Sequence, residues 1–207
     1  MAKGLLRGAQ RRPSEAPPAT GTVWNESACT LGGGGSLKGK TVFIAGGSRG
    51  IGFCIAKTVA KDGANVIVTG KTAEPHATLP GTIHTAAAEC EALGGKALAC
   101  VVDVRDEASI EAAVAAAVAK FGGIDILINC ASAIFPQATE EFNTSRFNLM
   151  FEVGPRGSML TAKHCIPHLK ESAKKGNNPH VINLSPPFGD RLIGQANCES
   201  CLSAAGQ

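Results

Sequence analysis

Short apolar runs and amphipathic stripes alternate along most of this chain. Thr41–Ala45 (TVFIA) is a continuous apolar run ending in glycines, the pattern of a strand buried on both faces. Ile51, Ile55 and Val59 then recur every four residues, one face of a helix that should end near Asp62-Gly63. NVIVT (Asn65–Thr69) predicts a second strand. After a loop with Pro and Gly, Thr85–Leu93 predicts a helix closed by Gly94-Gly95. ALACVVDV (Ala97–Val104) reads as strand three. Ile110, Val114, Ala117, Val118 and Phe121 form a helical stripe stopped by Gly122-Gly123. DILIN (Asp125–Asn129) is strand four, and HVINL (His180–Leu184) is strand five after a long helical stretch. Continuous apolar strands alternating with amphipathic helices predict a doubly wound α/β domain, a parallel sheet covered on both faces.

Residues 1–36 lack any hydrophobic period and carry Pro13, Pro17, Pro18 and a run of four glycines, so they predict a disordered basic extension. Their basic, acid-free start also fits an organelle transit segment. The ordered domain is expected over 37–207. Charge changes little else. Residues 1–40 hold six basic and two acidic side chains, within a net charge of +3, so the rest is near neutral. That balance shows no basic footprint for nucleic acid. No run of 18 apolar residues spans a membrane. The eight cysteines show no framework spacing before the tail, and no secretory signal precedes them, so an intracellular, reducing compartment is expected.

Chemistry first shows itself between strand one and its helix, where GGSRGIG places Gly46, Gly50 and Gly52 around Ser48, Arg49 and Ile51. A tight strand-to-helix turn needs residues without Cβ, and a pyrophosphate needs close backbone N–H groups at a helix N-terminus. A dinucleotide is the implied ligand. An acid at the end of strand two would bond a ribose 2′-OH, but the chain has Gly70-Lys71 there, and Arg49 sits within the glycine loop. Two cations favour a 2′-phosphate, so NADP(H) is preferred over NAD(H).

LKGKTVFIAGGSRGIG, VVDV, INCAS and NLSPP together resemble the short-chain dehydrogenase/reductase family, over about Leu37 to Pro187. The resemblance implies that Asp103 and Val104 flank the adenine, that Asn129 belongs to the cofactor site, and that Ser185 is the catalytic serine. The long segment from Lys71 through the extra loop after strand two resembles one subgroup of that family. Its members are peroxisomal or mitochondrial and end in a sterol-carrier-like domain; a cytoplasmic location is the alternative. The family's reaction also needs a tyrosine and a lysine four residues beyond it. They would fall near 197–201, where NCESC stands; the chain has no Tyr and no Lys after Lys175. Gly154 takes the place of the family's relay asparagine, and Gly154-Pro155 is expected to interrupt the helix through which relatives associate. The expectation is therefore a C-terminally incomplete oxidoreductase without hydride transfer in this form, or a cofactor-binding pseudoenzyme. A zinc module built from Cys198, Cys201, His164 and His168 is the distant third reading.

Overall fold

Five parallel strands form one sheet in the order β3-β2-β1-β4-β5. The computed structural model describes residues 36–76, 80–135 and 139–185, so the extension and the CESC tail lie outside the described residues. The strands are β1 (Thr41–Ala45), β2 (Asn65–Gly70), β3 (Lys96–Val101), β4 (Ile126–Asn129) and β5 (His180–Asn183). The helices are α1 (Gly50–Lys61), α2 (Ile83–Ala92), α3 (Glu107–Phe121), α4 (Thr144–Phe151) and α5 (Gly157–Lys174).

Period-two alternation within the buried strands divides the core. Val42 and Ile44 of β1 face one cluster, with Ala56 and Ala60 of α1 and Ile83 and Cys90 of α2. Phe43 and Ala45 face the other, with Ile110, Val114 and Ala117 of α3 and Leu160, Cys165 and Leu169 of α5. Both faces of β1 are thus covered, as the unbroken apolar run requires. Burial also pushes the thiol pKa of Cys90 up to about 11 and that of Cys165 to about 12, so these are inert core residues.

Strand three ends earlier than the apolar run suggests. Val101 pairs with Gly70, the last residue of β2, and beyond that point the chain has no ladder partner. Val102 N–H still reaches the Gly70 carbonyl at 3.0 Å, then Asp103 to Asp106 turn into α3. Helix α2 begins two residues earlier than the periodicity indicates, because Thr82 and Thr85 form a reciprocal capping box. A threonine at the third helical position replaces the usual Glu or Gln, which hides the motif from a pattern reading.

The expected interruption at Gly154-Pro155 does not occur. Glu152–Arg156 form one π turn between α4 and α5, and the helical path is continuous. Proline has no N–H to donate, and its ring would crowd the carbonyl four residues back; the wider turn relieves both problems.

At the amino ends of the strands, Asp125 joins three elements. Its carboxylate accepts from Thr41 N–H at 2.8 Å, Asn177 Nδ2 at 3.1 Å and the Ser172 hydroxyl. The two sheet edges differ. Lys120 of α3 reaches the Ala97 carbonyl of β3 at 2.8 Å, whereas Val181 and Ile182 of β5 stay 42% and 46% exposed.

Helix α5 starts hard against the turn between β3 and α3. A Cβ on Gly157 would lie 2.9 Å from Val104 Cγ2, so Gly157→Leu should lower stability by about 1–3 kcal/mol. Urea unfolding should show a lower midpoint with unchanged slope; a wild-type midpoint would mean that α5 shifts freely.

Candidate functional site at the carboxyl ends of the strands

Because every strand pairing is parallel, all five carboxyl ends share one side of the sheet. From β1 the chain winds outward to β2 and β3, then returns to place β4 on the other flank of β1. That reversal opens a crevice between the loops after β1 and β4, the usual place for a ligand in an open α/β sheet.

The loop after β1 is built as its glycines require. Gly46 has φ of +85° and Gly50 of +55°, conformations open to glycine. A Cβ on Gly46 would meet the Ala131 backbone at 2.9 Å, and one on Gly52 would stand 2.1 Å from the Gly46 carbonyl oxygen. The loop, the end of β4 and the first turn of α1 are therefore in backbone contact. Gly47 N–H donates to the Thr69 carbonyl at 2.9 Å, and Gly52 N–H donates to Cys130 Sγ. Ser48 is buried, while Ile51 stands 66% exposed beside the crevice.

Helix α1 opens on Arg49 in extended conformation, with no side-chain cap and no acid in its first turn. By contrast α2, α3 and α4 are capped by Thr82, Asp106 and Asn143. An uncapped N-terminus beside a glycine cradle suits an anion such as a pyrophosphate, and the residues present fit that group.

At the end of β2 the positive groups gather. Arg49 Nη2 donates to Thr72 Oγ1 at 2.6 Å. Lys71 Nζ lies 3.6 Å from Asp103 Oδ2, and its side chain is 62% exposed. A Cβ on Gly70 would stand 3.0 Å from Ser48 Oγ and 3.3 Å from Ile83 Cγ2, so a side chain at this position would crowd both.

Asp103 is engaged more fully than its sequence context suggests. Arg105 grips the carboxylate with Nε and Nη2, the latter at 2.6 Å, and its backbone N–H adds a bond at 3.1 Å. The Arg105 hydrogen bond is the main cause that holds the Asp103 pKa down to about 2. Val104 is buried in the core beneath Gly157, so any contact it makes with a ligand belongs to its backbone rather than its side chain.

On the other side of the crevice, Asn129 Nδ2 donates to Asn183 Oδ1 at 2.8 Å and reaches the Ser158 carbonyl at 3.4 Å. Both partners accept, which turns Asn129 Oδ1 the other way. It is buried and without a donor among the described residues, an acceptor that suits a ligand hydroxyl. Ser185 follows β5 at the same side of the sheet and is partly buried.

The proposed metal ligands do not assemble among the described residues. His164 Nε2 is 2.9 Å from Glu107 Oε1, whose carboxylate also takes Lys163 at 2.6 Å. No group of three or more metal-binding side chains is found among the described residues, and Cys198 and Cys201 lie outside them. A cavity of about 390 Å³ at the opposite end of the sheet includes Asp125, Ser172 and Asn177, which already satisfy one another. Thr72 and Arg105 are the site residues that sequence reasoning missed. The only signal was their place one residue after Lys71 and two residues after Asp103.

The sequence profile of the family described as short chain dehydrogenase matches residues 40–196. Hydroxysteroid dehydrogenase-like protein 2 of Danio rerio is 58% identical over 154 residues, covering 74% of this chain and 36% of that protein. The Homo sapiens protein of the same name is 57% identical over the same length and coverage. The chain thus spans little more than a third of the length of these curated relatives. Among solved structures, a short chain dehydrogenase of Mycobacterium thermoresistibile superposes with a TM-score of 0.75 at 49% identity, over 83% of this chain and 60% of that one. NADH-dependent reductase A1-R′ complexed with NAD gives 0.67 at 26% identity, over 82% of this chain and 67% of that one. No helix of the described residues is long and apolar enough to cross a membrane.

Gly52→Ala should lower the urea midpoint by the equivalent of about 3 kcal/mol, since backbone rather than a mobile side chain opposes the new methyl; an unchanged midpoint would show the loop to be elastic. Asp103 is stabilising where it is ionised. Its folded pKa lies below the ordinary 3.8, so its contribution is present above that value and is lost as pH falls through about 2. With Asp103 28% exposed, Asp103→Asn should cost only about 1 kcal/mol at pH 7. Denaturation across pH should show the two proteins converging towards pH 2; a constant difference would contradict this origin.

Proposed function

Because the chain belongs to the short-chain dehydrogenase family, we propose that its domain binds a nicotinamide dinucleotide, NADP(H) in preference to NAD(H), and that these 207 residues bind it without completing hydride transfer. The observation that carries the cofactor preference is the end of β2, where Arg49 and Lys71 stand and glycine, not an acid, occupies position 70 with Ser48 close against it. A carboxylate there would accept from a ribose 2′-OH and repel a 2′-phosphate; two cations favour the phosphate.

Each residue then has a role set by its chemistry. The backbone N–H groups of the glycine loop and α1 receive the pyrophosphate, with Gly46, Gly50 and Gly52 keeping Cβ atoms out of its path. Ser48 supports the loop from below, and exposed Ile51 offers apolar cover. Asp103 and the backbone of Val104 bound the adenine end. Asn129 Oδ1, which has no donor among the described residues, accepts from the bound cofactor. When bound, the nicotinamide supplies or receives a hydride at a carbon whose oxygen must exchange a proton.

Ser185 can donate a hydrogen bond to a substrate oxygen. Proton transfer there falls to a tyrosine made acidic by a nearby lysine in the family pattern, and the sequence contains no tyrosine. Loss of a positioned general acid costs on the order of a hundred- to ten-thousand-fold in rate. Cofactor binding without turnover is therefore the leading reading. Carbonyl reduction by a longer polypeptide that includes this domain is the second, and Ser185 at the strand ends favours it. A peroxisomal or mitochondrial address is part of the proposal on family resemblance alone. Self-association through the α4–α5 helix belongs to it too: that helix is continuous and leaves Phe147, Phe151, Met159 and Ile166 exposed.

NADPH should raise the melting temperature of the 207-residue protein more than NADH at equal concentration, with no oxidation of NADPH when carbonyl compounds are added. Arg49→Met combined with Lys71→Met should weaken NADPH binding by roughly a hundredfold, the size of charge-assisted hydrogen bonds lost from one phosphate, and leave NADH within a few fold. Equal response of the native protein to both cofactors would defeat the preference, and NADPH turnover would defeat the non-catalytic reading.

A further inference from the structure

The bond between Arg49 and Thr72 joins two elements that the fold fixes independently. Arg49 holds the residue position before α1 at the end of the glycine loop, and its guanidinium crosses to the segment after β2, where Nη2 donates to Thr72 Oγ1 at 2.6 Å. Thr72 is anchored in turn. Its carbonyl accepts from Ile83 N–H at 3.0 Å, the first residue of α2. The start of α2 is itself set by the capping box, with Thr85 N–H donating to Thr82 Oγ1 at 3.1 Å and Thr82 N–H to Thr85 Oγ1 at 2.8 Å. The hydroxyl is therefore a rigid point, carried by a β-branched side chain with few rotamers.

Such a point matters for arginine in particular. An arginine on the surface loses much rotamer freedom when it grips a phosphate, but its planar fork keeps a set orientation once one nitrogen is held. The hydroxyl takes one of the five guanidinium N–H groups and leaves the others for an anion. Lys71, the neighbouring residue, has no comparable anchor: its nearest partner is Asp103 at 3.6 Å, and Asp103 is already gripped by Arg105. Of the two cations, Arg49 is the pre-oriented one.

We infer that Thr72 is a positioning residue for the adenosine 2′-phosphate: its hydroxyl holds Arg49 in the orientation that selects a 2′-phosphorylated adenosine. The inference rests on the NADP(H) reading above and assigns that preference to a side chain that itself touches no phosphate.

Calorimetric titration with adenosine 2′,5′-bisphosphate and with 5′-AMP isolates this half of the cofactor and needs no turnover. Thr72→Val keeps the shape and removes the acceptor. It should weaken the bisphosphate by roughly three- to tenfold, the size of one net hydrogen bond, and leave 5′-AMP within twofold. Thr72→Ser should restore native binding. Adding Thr72→Val to Arg49→Met should cost nothing further, since the hydroxyl acts only through the arginine. Equal weakening of both ligands, or an additive double variant, would reduce Thr72 to a loop support and overturn the inference. Native affinity in Thr72→Val would overturn it as well. If the unaltered protein binds both adenosines equally, the NADP(H) reading itself fails, and the Thr72 assignment falls with it.

Discussion

Gly52 and Gly46 meet with no side chain between them, and a Cβ on Gly52 would stand 2.1 Å from the Gly46 carbonyl. This backbone contact sets where the first turn of α1 points relative to the end of β1. A methyl on Gly52 would have to push the Gly46 carbonyl aside, and Gly46 is hemmed in on its other side, where a Cβ of its own would meet the Ala131 backbone at 2.9 Å. Both walls of the site would then move together, since the loop is also tied to Thr69 of β2 and Cys130 after β4.

Around that contact the site is built in two halves with different states of readiness. On the adenosine side, Arg49, Thr72, Lys71, Asp103 and Arg105 form a connected set of charges and hydrogen bonds. On the other side, Asn129 leaves a buried acceptor unused, and Ser185 stands past the end of β5. Leaving a buried carbonyl oxygen without a donor costs about 1–3 kcal/mol, which a ligand hydroxyl recovers.

The π turn shows how a local conflict is absorbed. Gly154 and Pro155 both disfavour a regular helix, yet the helical path from Thr144 to Lys174 is held at its start and again just after the π turn. Asn143 caps its start, with Ser145 N–H donating at 2.8 Å, and Gly157 packs against Val104. Widening one turn costs less than breaking the helix, because α5 carries Leu160, Cys165 and Leu169 into the second core cluster.

Much of this was legible from residue order alone. Apolar runs such as TVFIA and NVIVT marked buried parallel strands, and the fourfold recurrence of Ile51, Ile55 and Val59 marked α1, because these periodicities arise from geometry within each element. The glycine loop was legible for the same reason: its turn, its missing Cβ atoms and its helix start lie within seven residues. What only the tertiary structure decided are the partnerships made across the chain. Thr72 became the anchor of Arg49 because the parallel pairing of β1 and β2 sets their ends side by side. Asp103 became an ion-pair centre and Val104 a core residue because β2 stops at Gly70 and leaves the end of β3 to turn inward. Asn129 turns its Oδ1 away from any donor among the described residues because β5 and α5 both present acceptors to its amide nitrogen. Each of these depends on which groups meet after folding, and periodicity along the chain carries no record of that.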